Sequence, residues 1–207
     1  HSDLKTIMTT TKKTTTKKAT VKTVKTKSTP IPTLPNIPFA FEVLDATSKQ
    51  RSKAKKVEVL RRYAHDSLLT LFIWNFDETA LSALPPGDVP YGNTREDNSM
   101  TGTLSDKIND AVDKMGEMGS KSLGSQDQGK ASIRREYTKF YNFIKGGNNS
   151  LSNLRRETMF INILEGLHPL EAEILILVKD KKLTDKYKIT KEVVSEAYPQ
   201  ITWGGRS

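Results

Sequence analysis

The sequence predicts an all-α fold, a single small bundle of about five to six helices. Apolar residues recur at intervals of three and four along several segments, the spacing of one helix face. Most of these segments begin at Ser, Thr, Asp or Pro, the residue types that start helices. No stretch alternates apolar and polar residues convincingly, as a half-buried strand would. The absence of cysteine from the sequence excludes disulfides and thiolate chemistry.

Residues 1–38 are predicted to be a disordered basic tail and linker. Residues 9–29 are almost entirely Thr, Lys, Val and Ala, so burial cannot offset the entropy of ordering them. Residues 30–38, PIPTLPNIP, hold four prolines and predict an extended linker, or alternatively a peptide ligand for a groove of another protein. The first methionine is Met8, so we expect residues 1–7 to be an upstream over-prediction or a fragment edge.

The helical domain is predicted to comprise residues 39–92 and 131–207. Its first part contains a short helix in PFAFEVLDAT, a second that begins after the cap Ser52, and a third capped by Asp66. The third, DSLLTLFIWNF, is apolar on most faces and should be buried. The prolines of PPGDVPYGN end this part in a loop.

Residues 93–130 form a Gly/Ser-rich insertion that we expect to be mobile and to contain one short amphipathic helix. Its apolar stripe consists of Leu104, Ile108, Ala111, Val112, Met115 and Met118. Two interpretations remain open. The helix packs on its own domain, or it is a tethered docking helix that uses methionines for adaptable contact.

Residues 131–145 show the clearest amphipathic pattern of the chain. The predicted apolar face consists of Ile133, Tyr137, Phe140, Tyr141 and Ile144. A second helix, capped by Ser150, follows the Gly146–Gly147 pair. Its second half, MFINIL from Met159 to Leu164, is apolar all round and predicts the buried centre of the fold.

The Gly pair itself has two interpretations. Glycine supplies positive φ at helix ends, so the stretch fits an ordinary helix–helix hinge. Alternatively, free amides at a helix start, with Lys145, Arg155 and Arg156, form an anion site. We expect Arg155 to be partly buried, because it falls near Leu151 on a helical wheel.

The remaining helices begin at Pro169 and after Thr190. Glu171 and Glu173 complement the positive N-terminal end of the first of these helices. Pro199 stops the second, and we expect Trp203 to pin the C-terminal segment.

Positive charge is concentrated at the N-terminal end of the chain. The net charge is +9; residues 1–38 contribute eight Lys against one Asp, and residues 49–62 contribute seven basic residues against one Glu. The rest of the chain is therefore mildly acidic. This asymmetry predicts binding to DNA or RNA through phosphates, although lysines that only keep the chain soluble are the alternative. The candidate anion-binding residues are Lys12, Lys13, Lys17, Lys18, Lys22, Lys53, Lys55, Lys56, Arg61, Arg62, Arg155 and Arg156.

No arrangement of residues predicts catalysis, a metal site or a cofactor. His65 and His168 lie at helix boundaries, where capping explains them. Glu165 and His168 have the Glu-x-x-His spacing of di-iron bundles, but Gly166 and Pro169 interrupt the helix. No apolar run approaches the roughly 20 residues that span a bilayer, and the N-terminus lacks the apolar segment of a secretory signal.

Three stretches of the sequence resemble those of a known family. They are NFDETALSALPPGDVPYG, the run NFIKGGNNSLSNLRRETMFINILEGLHPLEAEILILVKDKKLTDKYKI and the ending YPQITWGGRS. The family consists of uncharacterised small proteins of T4-like tailed phages, chiefly marine cyanophages. The resemblance covers residues 39–92 and 131–207; the tail and residues 94–130 lie outside it. The resemblance assigns no catalytic residues. It implies a phage protein made in the cytoplasm of a bacterial host.

Together these observations predict a non-enzymatic phage accessory protein, either a nucleic-acid-associated module or a protein adaptor with a phage or host partner. A structural or assembly component of the virion is the alternative.

Overall fold

The computed structural model describes residues 30–89 and 131–207, and the fold is that of the unit Ile31–Ser207. Within these ranges the chain forms seven α-helices and no sheet, which confirms the predicted all-α class. Of the predicted tail and linker, residues 1–29 lie outside the described residues, as does the predicted mobile insertion 93–130 with its helix at 104–118. The helices are α1 (Ala40–Ser48), α2 (Lys53–Arg62), α3 (Asp66–Phe76), α4 (Ile133–Glu136), α5 (Asn153–Gly166), α6 (Pro169–Lys179) and α7 (Lys191–Ala197), with 3₁₀ helices at Tyr137–Phe143 and Leu183–Asp185.

Side-chain caps fix most of the helix starts. Ser52 accepts a hydrogen bond from the Lys55 amide, and Thr190 accepts one from the Val193 amide, as predicted. Two histidines act in the same way. His65 Nδ1 accepts from the Ser67 amide at 3.1 Å, so His65 rather than Asp66 caps α3.

Helix α6 lies at the centre of the fold, where it packs against α1, α3 and α5. Its residues Ile174, Leu175 and Val178 are fully buried. The expectation that α5 is buried all round is wrong, because Met159 and Ile161 remain partly exposed. Helix α5 covers one side of α6, and a helix in that position buries one face only.

An aromatic cluster joins α3, the 3₁₀ helix and α5. The Phe143 ring centroid lies 6.1 Å from that of Trp74 and 5.1 Å from that of Phe160. The Trp74 indole Nε1 donates to Ser82 Oγ at 2.9 Å, and Ser82 Oγ donates to the Lys179 carbonyl. The polar edge of the buried indole is therefore satisfied, as burial requires.

The amphipathic segment 131–145 is not one α-helix. A single α-turn, α4, passes into the 3₁₀ helix Tyr137–Phe143. Residues three apart share a face in a 3₁₀ helix, so Phe140 and Phe143 are both buried. The predicted stripe of period 3.6 included Tyr141, which is 55% exposed.

Residues 30–38 are extended and lie against α1 and α2. Ile31 is buried beside Ala46 and Val59. The Tyr63 hydroxyl accepts from the Leu34 amide at 2.9 Å and donates to the Pro32 carbonyl at 3.2 Å. The domain therefore includes side chains that precede Phe39.

Candidate nucleic-acid interface

Helix α2 carries five cations, of which Lys53, Arg61 and Arg62 are exposed and Lys55 and Lys56 are partly exposed. Val57, Val59 and Leu60 are buried, whereas most of the other positions carry Lys or Arg. Ser52 caps the first turn, and Arg61 and Arg62 occupy the last turn, where cations complement the helix dipole. The helix packs against α1 and α7, so its outer side forms part of the protein surface.

Several of these cations contact acidic or carbonyl groups of α7. The Lys53 ammonium lies 3.2 Å from a carboxylate oxygen of Glu196 and 3.9 Å from one of Glu192. The Arg61 guanidinium donates to the Glu196 carbonyl at 2.8 Å. These contacts attach α2 to α7 across a large distance in sequence.

A lysine that the sequence did not indicate joins this surface. The Lys56 ammonium donates to the carbonyl of Lys188, and the Lys188 amide donates to Ser48 Oγ at 2.9 Å. The exposed Lys188 therefore lies beside the connection between α1 and α2. No local signal marks Lys188, because more than a hundred residues separate it from Lys56 in the chain.

The predicted anion-binding residues of α2 are thus only partly available. Lys55 pairs with Glu58 at 3.2 Å within the helix, and the Arg62 guanidinium lies 5.6 Å from the centre of the Tyr63 ring. In the α1–α2 connection, Lys49 pairs with Asp45 at 2.7 Å. Exposed pairs of this kind contribute about 0–1 kcal/mol each and are screened by salt.

The tail lysines of the predicted site lie outside the described residues. They are Lys12, Lys13, Lys17, Lys18 and Lys22.

The two arginines of α5 have different roles, and the predicted burial of Arg155 is wrong. Arg155 is exposed, whereas Arg156 is 8% exposed. The Arg156 guanidinium donates to the carbonyls of Asn142, Asn148 and Leu151 at 2.8 to 3.0 Å. It also donates to Asn153 Oδ1 at 2.8 Å. These contacts attach Arg156 to residues 142–153, and none of them is made with α2.

The same connection accounts for the Gly pair. Gly146 has a φ of +84°, which favours glycine. A Cβ on Gly147 would lie 1.9 Å from the Tyr141 carbonyl oxygen, so no larger residue fits there. Helix α5 begins at Asn153 with Ser152 as its cap, not Ser150. These contacts favour the hinge over the anion site.

Glu171 is a fully buried carboxylate that the sequence did not single out as a contact between helices. It accepts from the Ala40 amide at 3.0 Å and from the Ile133 amide at 3.1 Å. It therefore joins the starts of α1 and α4 to α6. Burial raises the pKa of Glu171 to about 7, although these amides stabilise the carboxylate; nearby Glu42 raises it further.

A second buried group joins the end of α3 to the C-terminal segment. Asp77 accepts from the Thr79 amide at 2.8 Å, the Gly204 amide at 2.9 Å and the Arg206 guanidinium. Burial alone would raise the pKa of Asp77, but these hydrogen bonds outweigh it and hold the pKa far below its usual range.

Lys181 satisfies one carbonyl in the last turn of α3 and two carbonyls after it. Its ammonium donates to the carbonyls of Trp74, Asp77 and Ala80 at 2.6 to 2.9 Å. Burial lowers the pKa of Lys181, an effect that the charge of Asp77 opposes.

The Glu165 and His168 side chains do not share a helix. Helix α5 ends at Gly166, and His168 caps α6 by accepting from the Leu170 amide at 3.1 Å. The His168 ring stacks on Phe41, with centroids 4.8 Å apart. Among residues 30–89 and 131–207, no group of three or more His, Asp or Glu side chains could hold a metal ion.

In that part of the chain, no helix is long and apolar enough to cross a membrane.

The fold and its surface define a small all-α protein with cations gathered on α2. The chain matches the sequence model of a family of unknown function (DUF6433) over residues 43–115 and 119–185. The match covers more than half of the chain, so the protein belongs to this family. The matched region includes most of residues 93–130, so the expectation that this segment lies outside the family pattern is wrong. Residues 186–207 lie outside the matched region. No curated protein and no solved structure is significantly similar to the chain.

Proposed function

We propose that this protein is a non-enzymatic accessory protein that binds DNA or RNA through backbone phosphates. The observation that carries the proposal is the contact of Lys56 with the Lys188 carbonyl. This contact brings the backbone of Lys188 next to α2 and supports a basic surface assembled from two distant parts of the chain. Such a surface meets phosphates without reading base sequence.

The charge of the tail supports the same proposal. Residues 1–29 hold eight Lys and one Asp, and they precede the part of the domain that carries α2. Basic tails that accompany a folded basic surface add phosphate contacts and raise association rates. Arg155 is exposed and remains a proposed contact, whereas the contacts of Arg156 argue against it.

The test compares two triple variants of equal charge. The first replaces Lys56, Arg62 and Lys188 with Gln. The control replaces Arg135, Lys145 and Lys182, three exposed cations on other elements. Binding to a DNA duplex and to an RNA is measured between 50 and 200 mM salt, a range over which phosphate contacts weaken strongly.

We expect the first variant to reduce the slope of log K against log salt by about 2 to 3, because each lost phosphate contact removes about 0.9. The control should change the slope much less. Equal changes of the slope in the two variants, or binding that does not depend on salt concentration, would contradict the proposed surface. The contribution of the tail is measured on a chain that lacks residues 1–29, since Ile31 belongs to the packed domain.

For the setting, we propose a protein of T4-like phages that acts in the cytoplasm of the infected bacterium. The resemblance of its C-terminal half supports this setting. Mass spectrometry of purified particles tests the alternative, because stoichiometric presence in the particle would identify a virion component. Affinity purification from infected cells with nuclease treatment distinguishes nucleic-acid binding from an adaptor role, since an adaptor retains its partner after nuclease.

A further inference from the structure

An open groove of about 680 Å³ runs along the outer side of α5. Its lining residues come from α5 and from Ala131, Glu136 and Lys139. Leu154 stands at one end of the groove and is 74% exposed, the most exposed of the large apolar side chains that the structure describes. The lining includes the apolar Leu154, Met159 and Ile163 beside the polar Arg155, Thr158 and Asn162. An exposed leucine in such a groove is typical of a surface that another helix covers.

The chain returns to the described structure at this groove. Ala131 is the first described residue after position 89, and it lines the groove beside the end of α5. A Cβ placed on Gly166 would lie 3.6 Å from the Ala131 Cβ, an ordinary contact distance. Ala131, at which the described chain resumes, therefore lies at the rim of the groove.

That segment contains the apolar stripe of residues 104–118. On a helical wheel the acidic residues fall on the opposite side from the stripe. They are Asp106, Asp110, Asp113 and Glu117. A helix of this pattern has one face suited to a protein surface and one suited to water.

The dimensions of the groove and of this segment agree. From Leu154 to Gly166 the groove follows roughly 18 Å of α5, and residues 104–118 would extend over roughly 21 Å as a helix. Residues 119–130 connect Met118 to Ala131 and can reach up to about 40 Å when extended, so the connection does not restrict the placement. The family match includes residues 104–115, which shows that this part of the sequence is shared by the family together with the domain.

We propose that the groove along α5 is the docking site for residues 104–118 of the same chain, which cover Leu154, Met159 and Ile163 with their apolar stripe. Arg155, which remains a proposed phosphate contact, also lines this groove, so the docking proposal is tested without nucleic acid.

The experiment is hydrogen exchange of the full chain followed by mass spectrometry. We expect the amides of residues 104–118 to exchange at least about tenfold more slowly than in an unstructured peptide. Leu154→Asp should abolish this protection, because a carboxylate in the groove opposes burial of the stripe. Leu154 is exposed in the described fold, so its replacement leaves the domain folded. Leu81→Asp is the matched control at an exposed leucine outside the groove, and it should leave the protection unchanged.

Val112→Asp tests the proposal from the other side and should also abolish the protection. If the amides of residues 104–118 exchange at unprotected rates in the unmodified chain, the proposal is overturned, and another protein becomes the candidate occupant of the groove. Protection that survives Leu154→Asp would overturn it as well. Protection that falls on dilution would show that the segment docks on a second copy of the chain, which is also contrary to the proposal.

Discussion

At the scale of single residues, the two adjacent arginines of α5 show how little sequence position says about role. Arg155 and Arg156 have the same chemistry, yet one is exposed and the other bonds to three carbonyls of a connection. The helical wheel placed Arg155 toward the core because it assumed a start at Ser150. The helix starts at Asn153, and its packing turns Arg156 inward.

Arg156→Met should lower the free energy of unfolding by roughly 2–4 kcal/mol, because the carbonyls of the connection lose their donor. Arg155→Met is the matched control and should change it by less than about 0.5 kcal/mol, as is usual for exposed sites. Urea denaturation of both variants measures the difference. Equal effects of the two replacements would show that the contacts of Arg156 do not stabilise the fold.

At the scale of elements, the end of α6 departs from the usual chemistry of helix termini. Lys181 occupies the left-handed region with a φ of 59°, where glycine is the common residue. The Lys182 amide donates to the Leu177 carbonyl, and the Lys181 amide donates to the Val178 carbonyl, the pattern of a Schellman motif. The ammonium of Lys181 meanwhile satisfies three carbonyls at and after the end of α3. One residue therefore ends α6 and secures the end of α3.

Lys181→Gly should destabilise the protein by about 1–3 kcal/mol, although glycine relieves roughly 1 kcal/mol of backbone strain at this position. The lost contacts to three carbonyls outweigh the relief. Thermal and urea unfolding measure the net effect, with Lys182→Gly at the neighbouring exposed position as the comparison. A Lys181→Gly protein more stable than the unmodified chain would contradict this account.

At the scale of the whole molecule, Glu171 joins three helices that are far apart in sequence. It lies in the first turn of α6 and accepts from the first amides of α1 and α4. Its pKa of about 7 in the fold lies above the value near 4.3 of an unfolded chain. The protonated form is therefore favoured by folding. Its contribution to stability is complete below about pH 4.3 and is lost as the pH rises through 7.

Glu171→Gln should remove this dependence, because the amide does not titrate. Between pH 5 and 8 the free energy of unfolding of the unmodified chain should fall, relative to that of Glu171→Gln, by roughly 2–3 kcal/mol. Denaturation at several pH values measures the change, and Glu165→Gln at an exposed position of α5 is the control. Parallel pH profiles for the unmodified chain and Glu171→Gln would show that Glu171 does not titrate in this range.

The sequence by itself determined the all-α class and most helix starts. The caps at Ser52 and Thr190 and the Pro169 start were predicted because these signals act over three or four residues. The cap of α3 was predicted at Asp66, but His65 forms it. The same local logic identified α2 as a basic helix. It could not show which of the cations pair with carboxylates, because Glu192 and Glu196 come from the other end of the chain.

Four features depend on the tertiary structure alone. They are the 3₁₀ helix that follows Glu136, the burial of the Arg156 side chain, the position of Lys188 beside α2 and the burial of Glu171. Each depends on contacts between distant segments. The Lys56–Lys188 contact spans 132 positions, and the bond from Ala40 to Glu171 spans 131. Helical periodicity and capping signals indicate the conformation that a segment prefers in isolation. The pairing of buried polar groups depends on the neighbours that folding supplies, because each must find a partner once water is excluded.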